Sequence, residues 1–423
     1  MPDPILNPGR RRLIASAGLS ALGWLARPKT ALAGIAVSPR QSNRPGHVLV
    51  TVFLRGGADG LSLVVPYGDD HYYRCRPTLA IATPSRGGGG VIPLDGYFGL
   101  HPALAPLKPL YDAGQMAVIH ACGSGDRTRS HFEAMATMER GISCETGPAS
   151  GWLARHLESA PWQNGSPLRA IALGSLVPDS LRGASTATAL SSVADYRLKA
   201  DLPLGSAGFA RELRGLYGGL DPLGAAGREA LSLLQRLEAL TPAERVPRAG
   251  SRYAADALGE GLRQAALLIK SDNGVEVACL DHVGYDTHVA QGGAAGPLAS
   301  QLTSLGQSLA SFAHDLGESL WDRTTIVVLS EFGRRVEENS GAGTDHGRAG
   351  AMFVLGGKGV AGGKVHGRWP GLAPAMLEGP GDLRVTTDYR NVLGEVLQNR
   401  VGNTRLASVF PELSYQPLGV TTA

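Results

Sequence analysis

The chain has 423 residues, with 40 lysines and arginines against 37 acidic residues, 43% hydrophobic content and 6% aromatics. The near balance of charge gives no electrostatic reason to expect nucleic acid or an anionic membrane surface as a partner, and the length allows a large buried core. Its 58 glycines fall between apolar runs without a fixed period, which excludes a collagen-like or disordered chain and points to turns in a strand-rich fold.

Arg10, Arg11 and Arg12 precede an apolar stretch over residues 13–26 that is too short to span a bilayer, and Ala31-Leu32-Ala33 follows as a small-x-small cleavage site. This arrangement resembles a twin-arginine signal. The resemblance implies export of the folded chain by the twin-arginine machinery, removal of residues 1–33, and a periplasmic or extracytoplasmic protein without a stable membrane anchor. Cys75, Cys122, Cys144 and Cys279 would then meet an oxidising compartment. None forms a CxxC pair, so a thiolate metal site is not expected; free thiols and a Cys122–Cys144 bridge are both open.

Residues 47–54 form a near-continuous apolar, β-rich run ending in Arg55-Gly56-Gly57-Ala58-Asp59-Gly60, the pattern of a buried parallel strand feeding a glycine loop. Residues 116–121 read the same way, and a helical pattern follows over 130–140. Strand, polar loop and helix make an α/β unit. Further strands are expected over 168–173, 275–280, 325–329 and 351–355. Between them, residues 206–270 are rich in Ala, Leu, Arg and Glu at helical spacing, a helical insertion or cover on one domain spanning 34–423.

Polar residues gather where these strands end, which is where open parallel sheets bind ligands. Asp59 sits in its glycine-rich turn, as a ligand or as a turn residue. In Tyr285-Asp286-Thr287-His288, residues two apart face one way in an extended segment, so Asp286 and His288 can grip one cation; an Asx-turn is the other reading. Glu331 leaves a buried strand and needs a partner, a metal or Arg334. Thr344-Asp345-His346-Gly347 lies in a glycine-rich loop between apolar strands. Together Asp59, Asp286, His288, Glu331, Asp345 and His346 make a mixed oxygen and nitrogen set suited to Zn²⁺ or Mn²⁺, with Mg²⁺ as a further option. Ser130 and Glu133 read as a capping box opening a helix. The same helix start would also stabilise an anion, with Arg127 and Arg129 beside it.

Arg55-Gly56-Gly57-Ala58-Asp59, Arg129-Ser130-His131-Phe132-Glu133, Asp286-Thr287-His288, Ser330-Glu331-Phe332-Gly333-Arg334 and Thr344-Asp345-His346-Gly347 resemble, in order, the motifs of the domain of unknown function 1501 family. That family resembles the alkaline-phosphatase and sulfatase superfamily. The resemblance implies a three-layer α/β sandwich with a mostly parallel central sheet, and two divalent metals flanking a nucleophile. Ser130 would occupy the nucleophile's place, Asp59 would be the first-strand ligand, and the Asp286, His288 and Asp345, His346 pairs would be late ligands. Phe332 departs from that superfamily, which often has an Asp-His pair after the corresponding strand.

Several chemistries are excluded by pattern. A sulfatase nucleophile needs Cys/Ser-x-Pro-x-Arg, and Cys75-Arg76-Pro77 has the wrong order. Gly123-Ser124-Gly125 is not a nucleophile elbow, and Gly356-Gly357-Lys358 and Gly362-Gly363-Lys364 lack the phosphate-loop spacing. Two functions remain: a metal-dependent hydrolase of phosphate esters or related anionic esters, in which Arg129 and Arg334 clamp the substrate, or an exported binding or assembly protein that keeps the fold without turnover. Among the other histidines, His101, His120, His131, His282 and His366, the first to promote to the site are His131 and His366.

Overall fold

The computed structural model describes residues 46–422 except 86–88, 144–146, 162–163, 194–204, 220 and 239–245. The expected signal segment and Cys144 lie outside the described residues. Nine strands form the main sheet: β1 Val48–Arg55, β2 Met116–Gly123, β3 Ala170–Leu173, β4 Ala187–Leu190, β5 Val277–Val283, β6 Thr324–Leu329, β7 Gly350–Gly356, β8 Val365–His366 and β9 Thr387–Asp388. They run in the order β8-β2-β7-β6-β1-β5-β3-β4, with β9 also pairing β2. All neighbours are parallel except β7, which is antiparallel to both β2 and β6. The expected α/β class with a mostly parallel sheet is therefore what the chain adopts.

Both faces of the sheet are covered, which is why its central strands read as unbroken apolar runs. Along β1, Val48, Val50, Val52 and Leu54 face one layer. Leu49 and Phe53 face the other. Helix α1, His131–Arg140, follows β2, and on the first face lie two further helices, α2 Ala257–Lys270 and α3 Pro297–Trp321. Leu258 and Leu262 of α2, and Leu298, Leu302, Leu305 and Leu309 of α3, recur at helical spacing and bury that stripe. Asp256 starts α2 by accepting from Gly259 N at 2.8 Å. On the second face, Trp152, Leu153 and Leu157 pack with Val392 and Leu393.

The helical stretch expected over 206–270 contains Gly205–Leu216, Pro222–Glu238 and α2; α2 is a core layer of the sheet rather than a cover. No described helix is long and apolar enough to cross a membrane. Cys75, Cys122 and Cys279 are free thiols, and Cys122 Sγ rests 3.3 Å from Met352 Sδ.

β1, β2, β5 and β6 point their carboxyl ends to one edge of the sheet. Because β7 runs the other way, the loop that precedes it, containing Asp345 and His346, opens at that same edge. Four separate stretches of sequence thus meet there.

Candidate cation site

Each of three histidines at this edge has its Nδ1 held by an acceptor. His131 Nδ1 lies 2.8 Å from Glu331 Oε1, His288 Nδ1 lies 3.2 Å from Asp345 Oδ1, and His346 Nδ1 lies 2.8 Å from the carbonyl of Arg129. A carboxylate or carbonyl oxygen only accepts, so in each ring, when neutral, the proton sits on Nδ1 and Nε2 presents a lone pair.

Those lone pairs converge. His288 Nε2 and His346 Nε2 are 2.9 Å apart, and each is 3.1 Å from Asp286 Oδ1. His131 Nε2 lies 3.5 Å from Asp286 Oδ2 and is a buried atom with no hydrogen-bond partner. One ligand atom from each of His131, Asp286 and His346 fits within 4.8 Å of the others. Four acceptors facing one another repel unless a cation or protons lie among them. The donor set that lies within reach of one ion, the His131 and His346 imidazoles and the Asp286 carboxylate, with His288 beside them, is that of zinc or another first-row divalent ion. The residues present therefore fit a bound cation.

The remaining polar groups hold these four in place. The Arg334 guanidinium is buried and donates to Asp286 Oδ1 at 2.7 Å, to the carbonyls of Gly57, Thr344 and Tyr285 at 2.7, 2.8 and 3.0 Å, and to the carbonyl of Gly56. Burial alone would raise the Asp286 carboxyl, but the Arg334 guanidinium that donates to it outweighs burial and holds it down at about 2. The Asn339 hydrogen bond, 3.0 Å to Oδ1, lowers the Asp345 carboxyl against a smaller opposing effect of burial. Partial burial lowers His346, keeping it neutral. Phe332 packs its ring 5.0 Å from His131 and 4.8 Å from His346. Gly57 permits this: its φ is +66°, and a Cβ there would stand 2.3 Å from the Phe332 ring.

Several expected site residues have other roles. Asp59 is buried, caps residues 60–63, and accepts from Arg76 at 2.5 and 3.0 Å, Ser62 Oγ at 2.7 Å and Gln291 Nε2 at 2.8 Å. These donors engage its lone pairs and anchor it in the fold, apart from the group formed by His131, Asp286 and His346. Burial opposes its charge, but Arg76 prevails and lowers the carboxyl. Glu331, also buried, accepts from Gly56 N at 2.9 Å, from Ser330 Oγ at 2.9 Å and from His131, so it orients a ligand instead of being one. Asp345 does the same for His288. Arg129 and Arg334 are not free clamps: Arg129 pairs with buried Asp382, and Arg334 spends its donors on the loops.

His131, which a capping-box reading hides, joins the site, whereas His366 bonds the carbonyl of Ala361 at 3.0 Å beside β2. Ser130 begins α1 but makes no side-chain cap bond, so the capping box is not formed. Beneath the site, Gln291 Oε1 accepts from Thr287 Oγ1 at 2.8 Å and Thr344 Oγ1 at 2.6 Å. Sequence gave no sign of Gln291 or Arg76, which are distant in the chain from the motifs they tie together.

No curated protein matches the chain in sequence. Among solved structures, it is similar to the phosphonate monoester hydrolase of Agrobacterium radiobacter, at 10% identity and a TM-score of 0.32, covering 88% of this chain and 79% of that one. It is also similar to the protein titled Ps i-CgsB, at 10% identity and a TM-score of 0.30, covering 81% and 68%. Likeness at this level carries no statement about activity. Residues 47–390 match the family model described as "Protein of unknown function (DUF1501)", and the chain belongs to that family.

Proposed function

We infer that this protein is a divalent-cation-dependent hydrolase of phosphate esters or related anionic esters. The observation that carries the reading is the gathering of His131 and His346 Nε2 about the Asp286 carboxylate, with His288 Nε2 beside both Asp286 and His346. His131, Asp286 and His346 would hold the cation, with His288 beside them. A zinc or manganese ion there supplies Lewis-acid stabilisation of charge on an ester oxygen. The expectation of two ions narrows to one at this cluster, because Arg76 holds the Asp59 carboxylate that a second ion would use.

The chain's own residues supply the rest. Glu331, Asp345 and the Arg129 carbonyl fix the imidazole tautomers, which keeps the Nε2 atoms unprotonated. Ser130 stands at the start of α1, adjacent to His131, with its hydroxyl free of any cap bond. It is the proposed attacking group, and the first amides of α1 favour an anionic ester beside it. Export by the twin-arginine route remains part of the reading, carried by Arg10, Arg11 and Arg12.

The test is turnover of aryl phosphate and phosphonate esters by the metal-loaded protein and by Ser130→Ala. Hydrolysis lost in the variant at unchanged metal content supports the reading. A loaded protein that turns over none of these esters favours the exported binding or assembly protein instead.

A further inference from the structure

The arginines first expected to meet the substrate are consumed inside the fold, and another stands in their place. Arg335 lies between two extended segments, its amide donating to the carbonyl of Asp345 at 2.9 Å and its backbone bridging to Asp382. Its side chain is 36% exposed. Nη1 is 3.8 Å from Asp345 Oδ2, an ion-pair contact too long for a hydrogen bond. Nε is buried and has no hydrogen-bond partner.

Its neighbours carry carboxylate partners at hydrogen-bond distance: Arg129 is held by Asp382, Arg334 by Asp286 and four carbonyls, Arg76 by Asp59, and Arg348, whose Nε is likewise buried without a partner, by Glu378 and the carbonyl of Ser124. Arg335 presents its guanidinium beside the site with that donor array unspent. Only one carboxylate and one imidazole separate it from the convergent nitrogens, because Asp345 Oδ1 in turn contacts His288. A guanidinium fork matches the paired oxygens of a phosphoryl or other tetrahedral oxyanion, and an unpaired, partly buried N–H is costly until it finds such a partner.

We propose that Arg335 is the anion-recognition residue of this site, binding the non-bridging oxygens of a tetrahedral oxyanion on the substrate. This rests on the cation-site reading above for its place in a reaction, but not for the binding itself. In this arrangement the carbonyl of Arg335, accepting from Arg76 Nη2 at 3.0 Å, fixes the backbone, while the side chain remains available at the rim. Asp345 keeps the empty guanidinium near His288 without engaging its donors. The substrate class follows: esters that carry a negative charge, in preference to neutral esters of the same shape.

The experiment is a titration of inorganic phosphate into the Mn²⁺-loaded and the metal-stripped protein, for wild type, Arg335→Lys and Arg335→Met, with Mn²⁺ affinity measured separately for each. The expected result is weakening of phosphate binding by about 10- to 100-fold in Arg335→Met, a smaller loss in Arg335→Lys, and Mn²⁺ affinity retained in both. Equal phosphate binding by wild type and Arg335→Met would overturn the proposal while leaving the cation site standing. Parallel loss of Mn²⁺ and phosphate would also overturn it, since Arg335 would then merely support the fold of the site. If wild type takes up no Mn²⁺, the cation reading fails, yet Arg335-dependent phosphate binding by the stripped protein would still sustain the subsite; no phosphate binding in either form ends it.

Discussion

His131 Nδ1 and Glu331 Oε1 stand 2.8 Å apart, although 200 residues separate them in the chain. This contact decides which nitrogen of His131 faces Asp286. A carboxylate behind an imidazole also raises its basicity toward a cation. Glu331→Gln keeps the shape: a carboxamide can still accept from His131 and Gly56, and it can donate to Ser330 Oγ, whose own proton is then free for the carbonyl of Leu54. The expected outcome is a folded protein with metal affinity reduced by about 10- to 100-fold, read by competition with a chelating dye.

Asp59 and Arg76 form a buried ion pair, and removing one partner leaves an uncompensated charge. Asp59→Asn should cost about 3–5 kcal/mol in urea unfolding, with the metal content of the folded fraction unchanged. Loss of metal without loss of stability would return Asp59 to the ligand set.

Gly57→Ala places a methyl group 2.3 Å from the Phe332 ring at a φ of +66°. The backbone strain alone is worth about 1 kcal/mol or more, and the ring that packs against His131 and His346 must move. A lowered melting temperature together with weaker metal binding is expected. A melting temperature equal to wild type would show that Phe332 does not rest on Gly57.

Acid sensitivity should come partly from histidines far from the site. His120 Nδ1 accepts from Ala121 N at 2.8 Å and Nε2 faces the carbonyl of Val64 at 2.9 Å, so the folded ring is neutral. Burial pulls it down from 6.5 to about 4, and His156 likewise to about 3. The unfolded chain takes up these protons first. Stability from each is therefore fully present above about pH 6.5 and is lost as pH falls toward the folded value, with a slope of about 1.4 kcal/mol per pH unit per histidine. Chemical unfolding between pH 7 and 4.5 measures the slope, and His120→Gln should reduce it by one histidine's share.

The strands were legible because burial on both faces demands apolar residues at every position: β1, β2, β6 and β7 lie within a few residues of the runs that announce them. The direction of β7 was not legible, since an apolar strand reads the same in parallel and antiparallel pairing. At the site, Asp286, His288 and His346 could be picked out because a strand end with Asp or His is rare without a role. Glu331 and Asp345 were read as ligands for the same reason. A carboxylate that binds a cation and one that binds the far side of an imidazole look identical until distances are known. His131 was one of two spare histidines to promote first, although Ser130 and Glu133 beside it have the spacing of a cap that does not form. Arg129 and Arg334 were given to the substrate because nothing in the sequence shows that Asp382 and the carbonyls of Gly57 and Thr344 take their donors.

His131, Asp286 and His346, with His288 beside them, are expected to bind one divalent cation. Elemental analysis of the purified, signal-less protein, beside His131→Ala and Asp286→Ala, tests it most directly. The expected result is about one equivalent of a transition metal such as zinc or manganese in wild type, and its loss in both variants while they remain folded. A metal-free wild type after growth and dialysis in the presence of these ions, or metal retained in both variants, would contradict it.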